Sequence, residues 1–86
     1  MKVEVRVYPR EGVLDPQGKA IAAALGRLGH RAVHDVRAGK VFFLDVAGSD
    51  PKQVEAEARK MAEELLANTV IEGFDVRLVE PGGRPT

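Results

Sequence analysis

The chain has no cysteine and no tryptophan. Without cysteine there is no disulfide, no thiolate metal site and no cysteine nucleophile. Aromatic residues are scarce, at one Tyr and three Phe. A single-strand RNA platform needs aromatics on its central strands, and only Tyr8 and Phe43 could serve. Nor is there an excess of charge of one sign. The 13 Lys and Arg balance the 13 Asp and Glu, whereas a phosphate-backbone binder depends on clustered surplus cations. No nucleic-acid partner is expected. No apolar run approaches the roughly 18 residues of a membrane-spanning helix, so no membrane partner is expected either. Met1 to Val7 alternates charge with Val and lacks the apolar stretch of a secretory signal, which makes the cytoplasm the expected location.

What is present describes a globular domain. Hydrophobic residues make up 44% and charged residues 30% of the 86, too apolar for a disordered chain. The length suits one domain. A chain this short buries only about 60% of its extended surface, so it is marginal alone or leans on partners.

Lys2 to Tyr8 alternates strictly, with Val3, Val5 and Val7 on one side, and reads as a half-buried strand. Asp15-Pro16 is a capped helix start. Ile21, Ala24, Leu25 and Leu28 then share a face, and Gly29 is a natural stop. Ala32 to Arg37 and Lys40 to Val46 read as two strands of a hairpin, with Gly39 supplying a positive φ at the turn. Asp50-Pro51 starts a second helix, with Gln53 placed to complete a capping box. Val54, Ala58, Met61 and Leu65 form its apolar stripe, and Asn68 is placed to end it in the left-handed conformation. Phe74, Val76 and Leu78 mark a last strand. Pro81 to Thr86 cannot continue it and is expected to be a flexible tail.

The order β-α-β-β-α-β predicts an α+β fold of the split βαβ, ferredoxin-like kind. It would be a four-stranded antiparallel sheet with two helices on one face. The other face would carry Tyr8, Val33, Val41, Phe43 and Val79 among charges, a surface suited to packing against another chain.

Little in the sequence suits catalysis. Ser49, the only serine, sits at a helix start, where capping explains it. His30 and His34 straddle a turn and a strand and share no helical face, a poor arrangement for a metal. Arg37-Ala38-Gly39-Lys40 lacks the first Gly and the final Ser or Thr of a phosphate loop. The carboxylates mostly lie on wet helix faces. No catalytic, cofactor or metal residue is therefore assigned.

Three segments are more specific: Val13-Leu14-Asp15-Pro16-Gln17-Gly18, Asp35-Val36-Arg37-Ala38-Gly39-Lys40 and Leu65-Leu66-Ala67-Asn68-Thr69-Val70-Ile71-Glu72. With the Lys-Val-x-Val opening they resemble the PurS family, the small subunit of phosphoribosylformylglycinamidine synthase. The resemblance runs from Lys2 to Glu80, implying one PurS-like domain over 1–80 and a tail over 81–86. It implies a non-catalytic subunit that joins a glutaminase to a large ATP-dependent synthetase in purine biosynthesis and supports ammonia transfer. It also implies self-association as a dimer or tetramer. ATP and Mg would be used by the complex, and this chain would hold no cofactor.

On that reading Asp15, Gln17 and Gly18 meet a neighbouring subunit, since Gly at the third helical position costs up to about 1 kcal/mol and leaves room for a close backbone. Arg37 and Lys40 aim cations outward from the hairpin tip toward an acidic surface. Phe43 and the loop Asn68, Thr69, Val70 and Ile71 complete the expected interface. Two alternatives stay open. One is a regulatory module of the ACT type, binding a small molecule near Glu11 to Leu14. The other is a small acylphosphatase-like hydrolase, for which Arg10 lacks the surrounding phosphate loop.

Overall fold

The computed structural model describes residues 1–79, so the expected tail over 81–86 lies outside the described residues. Strand β1 is Lys2–Pro9, helix α1 Pro16–Arg27, strand β2 Lys40–Asp45, helix α2 Pro51–Met61 and strand β3 Glu72–Val79. The chain order is thus β-α-β-α-β. The sheet has three strands in the order β2-β1-β3, both pairings antiparallel.

This corrects the expected four-stranded sheet. Ala32 to Arg37 does not form a strand, and no hairpin joins it to β2. Among the described residues the positive-φ positions are Gly12, Gly29 and Gly48. Gly39 is not among them, so the chain runs past it instead of folding back. A Cβ at Gly39 would stand 2.5 Å from the Val7 carbonyl oxygen. Gly39 serves the close approach of two backbones, a different use of the same missing side chain.

The core lies on one face of the sheet. Val3, Val5 and Val7 of β1 are buried with Val54 and Ala58 of α2 and with Ala62 and Ala67. Phe42, Leu44 and Val46 flank them on one side, and Phe74, Val76 and Leu78 on the other. Full burial of each valine contributes about 1.5–3 kcal/mol. Helix α2 starts at Asp50, whose Oδ1 accepts from the Lys52 N–H at 3.1 Å. Its buried stripe is Val54, Ala58 and Ala62, four apart, while Met61 and Leu65 are exposed. Val54 and Ala58 are as expected, but the stripe continues four residues on to Ala62 instead of three to Met61, and beyond it the last turn, Ala62–Leu66, widens. There the Ala67 N–H donates to the Ala62 carbonyl at 2.9 Å, an i→i+5 bond that holds one residue more than an α-turn. Asn68 takes no left-handed conformation, since no non-glycine residue among those described has positive φ.

Helix α2 packs on β1 and β3, whereas α1 makes no substantial contact with the sheet. The radius of gyration is 15.9 Å, against the about 12 Å typical of a compact chain of this length. Helix α1 and the segment that returns from it form an arm.

Candidate partner-binding site

The three motif segments meet where β1 ends. Asp15 caps α1, and its Oδ1 accepts from the Gly18 N–H at 2.9 Å. Its Oδ2 accepts from the Ala38 N–H at 2.7 Å, tying the helix start to the segment before β2. The Gly18 and Ala38 N–H groups, aided by the Arg37 charge, hold the Asp15 carboxyl below the usual carboxylate range. Gly18 is the buried residue of α1, and a Cβ there would collide with the Val36 carbonyl oxygen. The close backbone approach that Gly18 permits is made by its own chain.

Arg37 reaches the strand end itself. Its Nη2 donates to the Pro9 carbonyl at 2.6 Å and to the Arg10 carbonyl at 2.5 Å. Arg10 links the third segment: its N–H donates to the Ile71 carbonyl at 2.8 Å and its Nε to the Thr69 carbonyl at 3.1 Å. The loop after α2 is closed by short bonds. The Val70 N–H donates to Asn68 Oδ1 at 3.2 Å, and the Asn68 N–H to Glu72 Oε1 at 2.8 Å. The polar groups are thereby bonded to one another at the surface, and apolar side chains are left to face water beside them. Leu14 is 69% exposed and Val70 82%. A hollow of about 380 Å³ lies in this region, lined by Leu14, Gln17, Ala38, Ile71 and their neighbours. A rigid polar frame that presents apolar knobs beside a hollow is suited to recognising another protein.

Asp15, Gln17, Gly18, Arg37, Asn68, Thr69, Val70 and Ile71 are therefore gathered at one end of the molecule. Lys40 stands next to it at the start of β2, its Nζ 5.7 Å from the centre of the Phe42 ring. Phe43 lies elsewhere, exposed on the open face of the sheet and opposite Glu4 in the β1–β2 register.

Two residues were not among the expected site residues. Arg10 is the hub of the knot, and no local pattern marks it. Glu4, on the side of β1 expected to be wet, is buried at 1% exposure. Its carboxylate accepts from Arg6 Nε and from Arg77 Nη2, each at 2.9 Å. The Arg6 hydrogen bond, then that of Arg77, lowers its pKa against the opposing effect of burial. Glu4 and Arg77 face each other in the β1–β3 register, so a strand-pairing argument could have found them. Among the described residues no group of three or more His, Cys, Asp or Glu is placed to hold a metal ion. No described helix is long and apolar enough to cross a membrane.

Comparison with known proteins covers nearly the whole chain. Residues 2–80 match the family profile PurS, phosphoribosylformylglycinamidine (FGAM) synthase. The Mycobacterium leprae phosphoribosylformylglycinamidine synthase subunit PurS is 51% identical over 72 residues, 84% of this chain and 87% of that one. The crystal structure of Bacillus subtilis PurS superposes with a TM-score of 0.81 at 43% identity, covering 92% of this chain and 98% of that one. A chain in the structure of PurLQS from Thermotoga maritima gives 0.80 at 33% identity, covering 88% and 93%.

Proposed function

From the membership of this chain in the PurS family, the small subunit of phosphoribosylformylglycinamidine synthase, we propose that it is the bridging subunit of that enzyme in purine biosynthesis and is itself non-catalytic. It would join a glutaminase subunit to the ATP-dependent synthetase subunit, so that ammonia freed at one site is used at the other. The observation that carries this reading is the likeness, along 88% of the chain, to a component of the Thermotoga PurLQS structure.

The physical contribution of such a subunit is proximity. Two active sites held in register keep a diffusible intermediate at high local concentration, which a free encounter in water does not. The knot at the end of β1 is suited to this task. Its polar groups are spent on fixing the loops, and Leu14 and Val70 are left for contact. ATP and Mg would belong to the synthetase, and this chain would carry no cofactor. The cytoplasm would be the site of assembly.

The test is reconstitution from three separate subunits. Glutamine-dependent amidation should require this chain, while ammonia-dependent amidation by the synthetase alone should need it far less. A full glutamine-dependent rate without the chain would refute the bridging role. A thermal shift on adding amino acids or nucleotides to the isolated chain would favour the regulatory-module alternative instead.

A further inference from the structure

The open face of the sheet, away from α2, has a buried carboxylate near its centre. Lys2, Glu4, Arg6 and Tyr8 of β1 lie on this face. The register places Asp45, Phe43 and Val41 of β2 and Val79, Arg77 and Asp75 of β3 beside them. Glu4 is 1% exposed. Its two oxygens are divided between two arginines: Oε1 accepts from Arg6 Nε and Oε2 from Arg77 Nη2. Apolar side chains stand beside this triad, with Phe43 60% exposed, Val41 43% and Tyr8 42%. The Tyr8 ring lies over Gly73, where a Cβ would stand 2.7 Å from its Cε2.

Folding does not require such a triad. Apolar residues of similar size often fill the space of a buried ion cluster without loss of stability, because a buried carboxylate forfeits its hydration. What the triad does achieve is alignment. Among the described residues each guanidinium spends a single N–H on Glu4, and the two side chains are 53% and 59% exposed. Two guanidiniums already held side by side form a clamp for a further carboxylate, with little ordering left to do. The triad is also one anion short. Its two cations face one carboxylate, and Asp75, the neighbour of Arg6 in the register, makes no ion pair among the described residues. A protein that covered this face with apolar groups alone would strand that positive charge, whereas one that brought a carboxylate would satisfy it.

We propose that the open face is a docking surface for an acidic patch of a larger subunit of the synthase. A carboxylate of that subunit sits across Arg6 and Arg77, and its apolar side chains pack on Phe43, Val41 and Tyr8. This docking rests on the bridging reading and supplies something that reading requires. A subunit that joins two others needs two surfaces, and the knot at the end of β1 is one. The knot presents aliphatic knobs with its polar groups already bonded, while the open face presents an arginine pair among aromatic and branched side chains. Surfaces of such different chemistry select different partners. A second copy of this chain fits the open face poorly, because a twofold axis through its middle would press two positive triads together. A nucleic acid fits poorly as well. Glu4 and Asp75 lie where phosphates would run, and the chain has no surplus of cations.

The test is a pair of substitutions of opposite sign at exposed side chains. Val41→Glu puts the missing anion on the chain itself, beside Arg6, where it competes with the partner's carboxylate. Asp75→Asn removes the unpaired acid of the face. Both should keep the thermal midpoint of the wild type. Each is titrated against the two larger subunits, separately and in the three-subunit mixture, at low and high salt. At low salt Val41→Glu should weaken binding of one larger subunit about tenfold, and Asp75→Asn should tighten binding of that same subunit about twofold, both effects shrinking at high salt. Arg77→Lys keeps the charge but loses the planar fork, and should weaken the same subunit about threefold. Val70→Asp, in the knot, should act on the other larger subunit. Shifts of the same sign for Val41→Glu and Asp75→Asn, no shift at all, or weakening of one and the same subunit by Val41→Glu and Val70→Asp would overturn the docking and leave the bridge standing. A full glutamine-dependent rate without the chain would overturn the bridging reading and this surface with it. Altered sedimentation of the isolated variants would give the face to a second copy, and tighter binding of a mixed-sequence oligonucleotide by Asp75→Asn would give it to nucleic acid. Either result overturns the proposal.

Discussion

Gly18, in the first turn of α1, faces the carbonyl oxygen of Val36, which occupies the place a Cβ would need. An alanine there would ordinarily stabilise a helix by up to about 1 kcal/mol. Here the added methyl has no room, because the obstacle is backbone and the nearby Asp15 carboxylate is already engaged. Gly18→Ala should lower stability by about 1–3 kcal/mol through overpacking. Gly26 of the same helix has open space where its Cβ would stand, so Gly26→Ala should raise stability by about 0.5–1 kcal/mol. Urea unfolding of the two variants measures both, and equal effects would remove the Gly18–Val36 contact from the account.

Three carboxylates set the acid limb of stability. Asp15, Glu4 and Asp45 are each held below their ordinary pKa, by backbone N–H groups, by Arg6 and Arg77, and by Lys2 respectively. The unfolded chain therefore binds protons at a higher pH than the folded one. Their stabilisation is complete above the ordinary values of 4.5 for Glu and 3.8 for Asp. It is lost as pH falls from there through the lowered folded-state values. The midpoint temperature should be flat above about pH 5 and drop progressively below about pH 4. Glu4→Gln should lower the midpoint at neutral pH and shrink that drop. A variant with the wild-type acid limb would show that Glu4 does not contribute to it.

Arg37 has a role inside the chain. Its guanidinium donates to the Pro9 and Arg10 carbonyls in an exposed setting, so Arg37→Ala should destabilise by about 1 kcal/mol. Arg37→Lys should restore only part of this, since an ammonium lacks the planar fork. Chemical denaturation reads the effect directly. Wild-type stability in Arg37→Ala would mean that the two bonds are matched by water.

Val70 stands 82% exposed on a loop that is fixed without its side chain. Val70→Asp should leave the unfolding free energy within about 0.5 kcal/mol of wild type. In reconstituted glutamine-dependent amidation it should raise the concentration of this chain needed for half-maximal rate about tenfold, as expected for a charge placed in an apolar contact. Leu14→Asp is the companion at the neighbouring rim. Unchanged titrations for both would place the contact with the larger subunits elsewhere.

Strand β1, both helix starts and the last strand were legible because each carries a local signal: alternation, or Asp-Pro before an apolar period. Ala32 to Arg37 reads as a strand as well, yet it stays unpaired. Strand formation requires a partner, and the sequence of one chain does not say where the partner is. The helix stripe failed for a different reason. A period of 3.6 allows the step from Ala58 to be three or four residues, and the structure takes four, to Ala62; the widened turn at Ala62–Leu66 then shifts the phase at Leu65, which a constant period cannot anticipate. The convergence of Asp15, Arg37 and the Asn68–Ile71 loop was legible only as motif resemblance. Its physical cause, the Arg10 hub, joins residues about sixty positions apart and leaves no local trace.

The widened turn gives the second half of the chain a length tolerance. An i→i+5 loop is one residue longer than regular helix needs, so deleting a residue between Ala62 and Leu66 would tighten the coil while leaving its two ends docked. Deletion of a single residue should therefore be accommodated here more readily than within the regular turns of Pro51–Met61. The loop that bears Val70 would keep its position against Arg10.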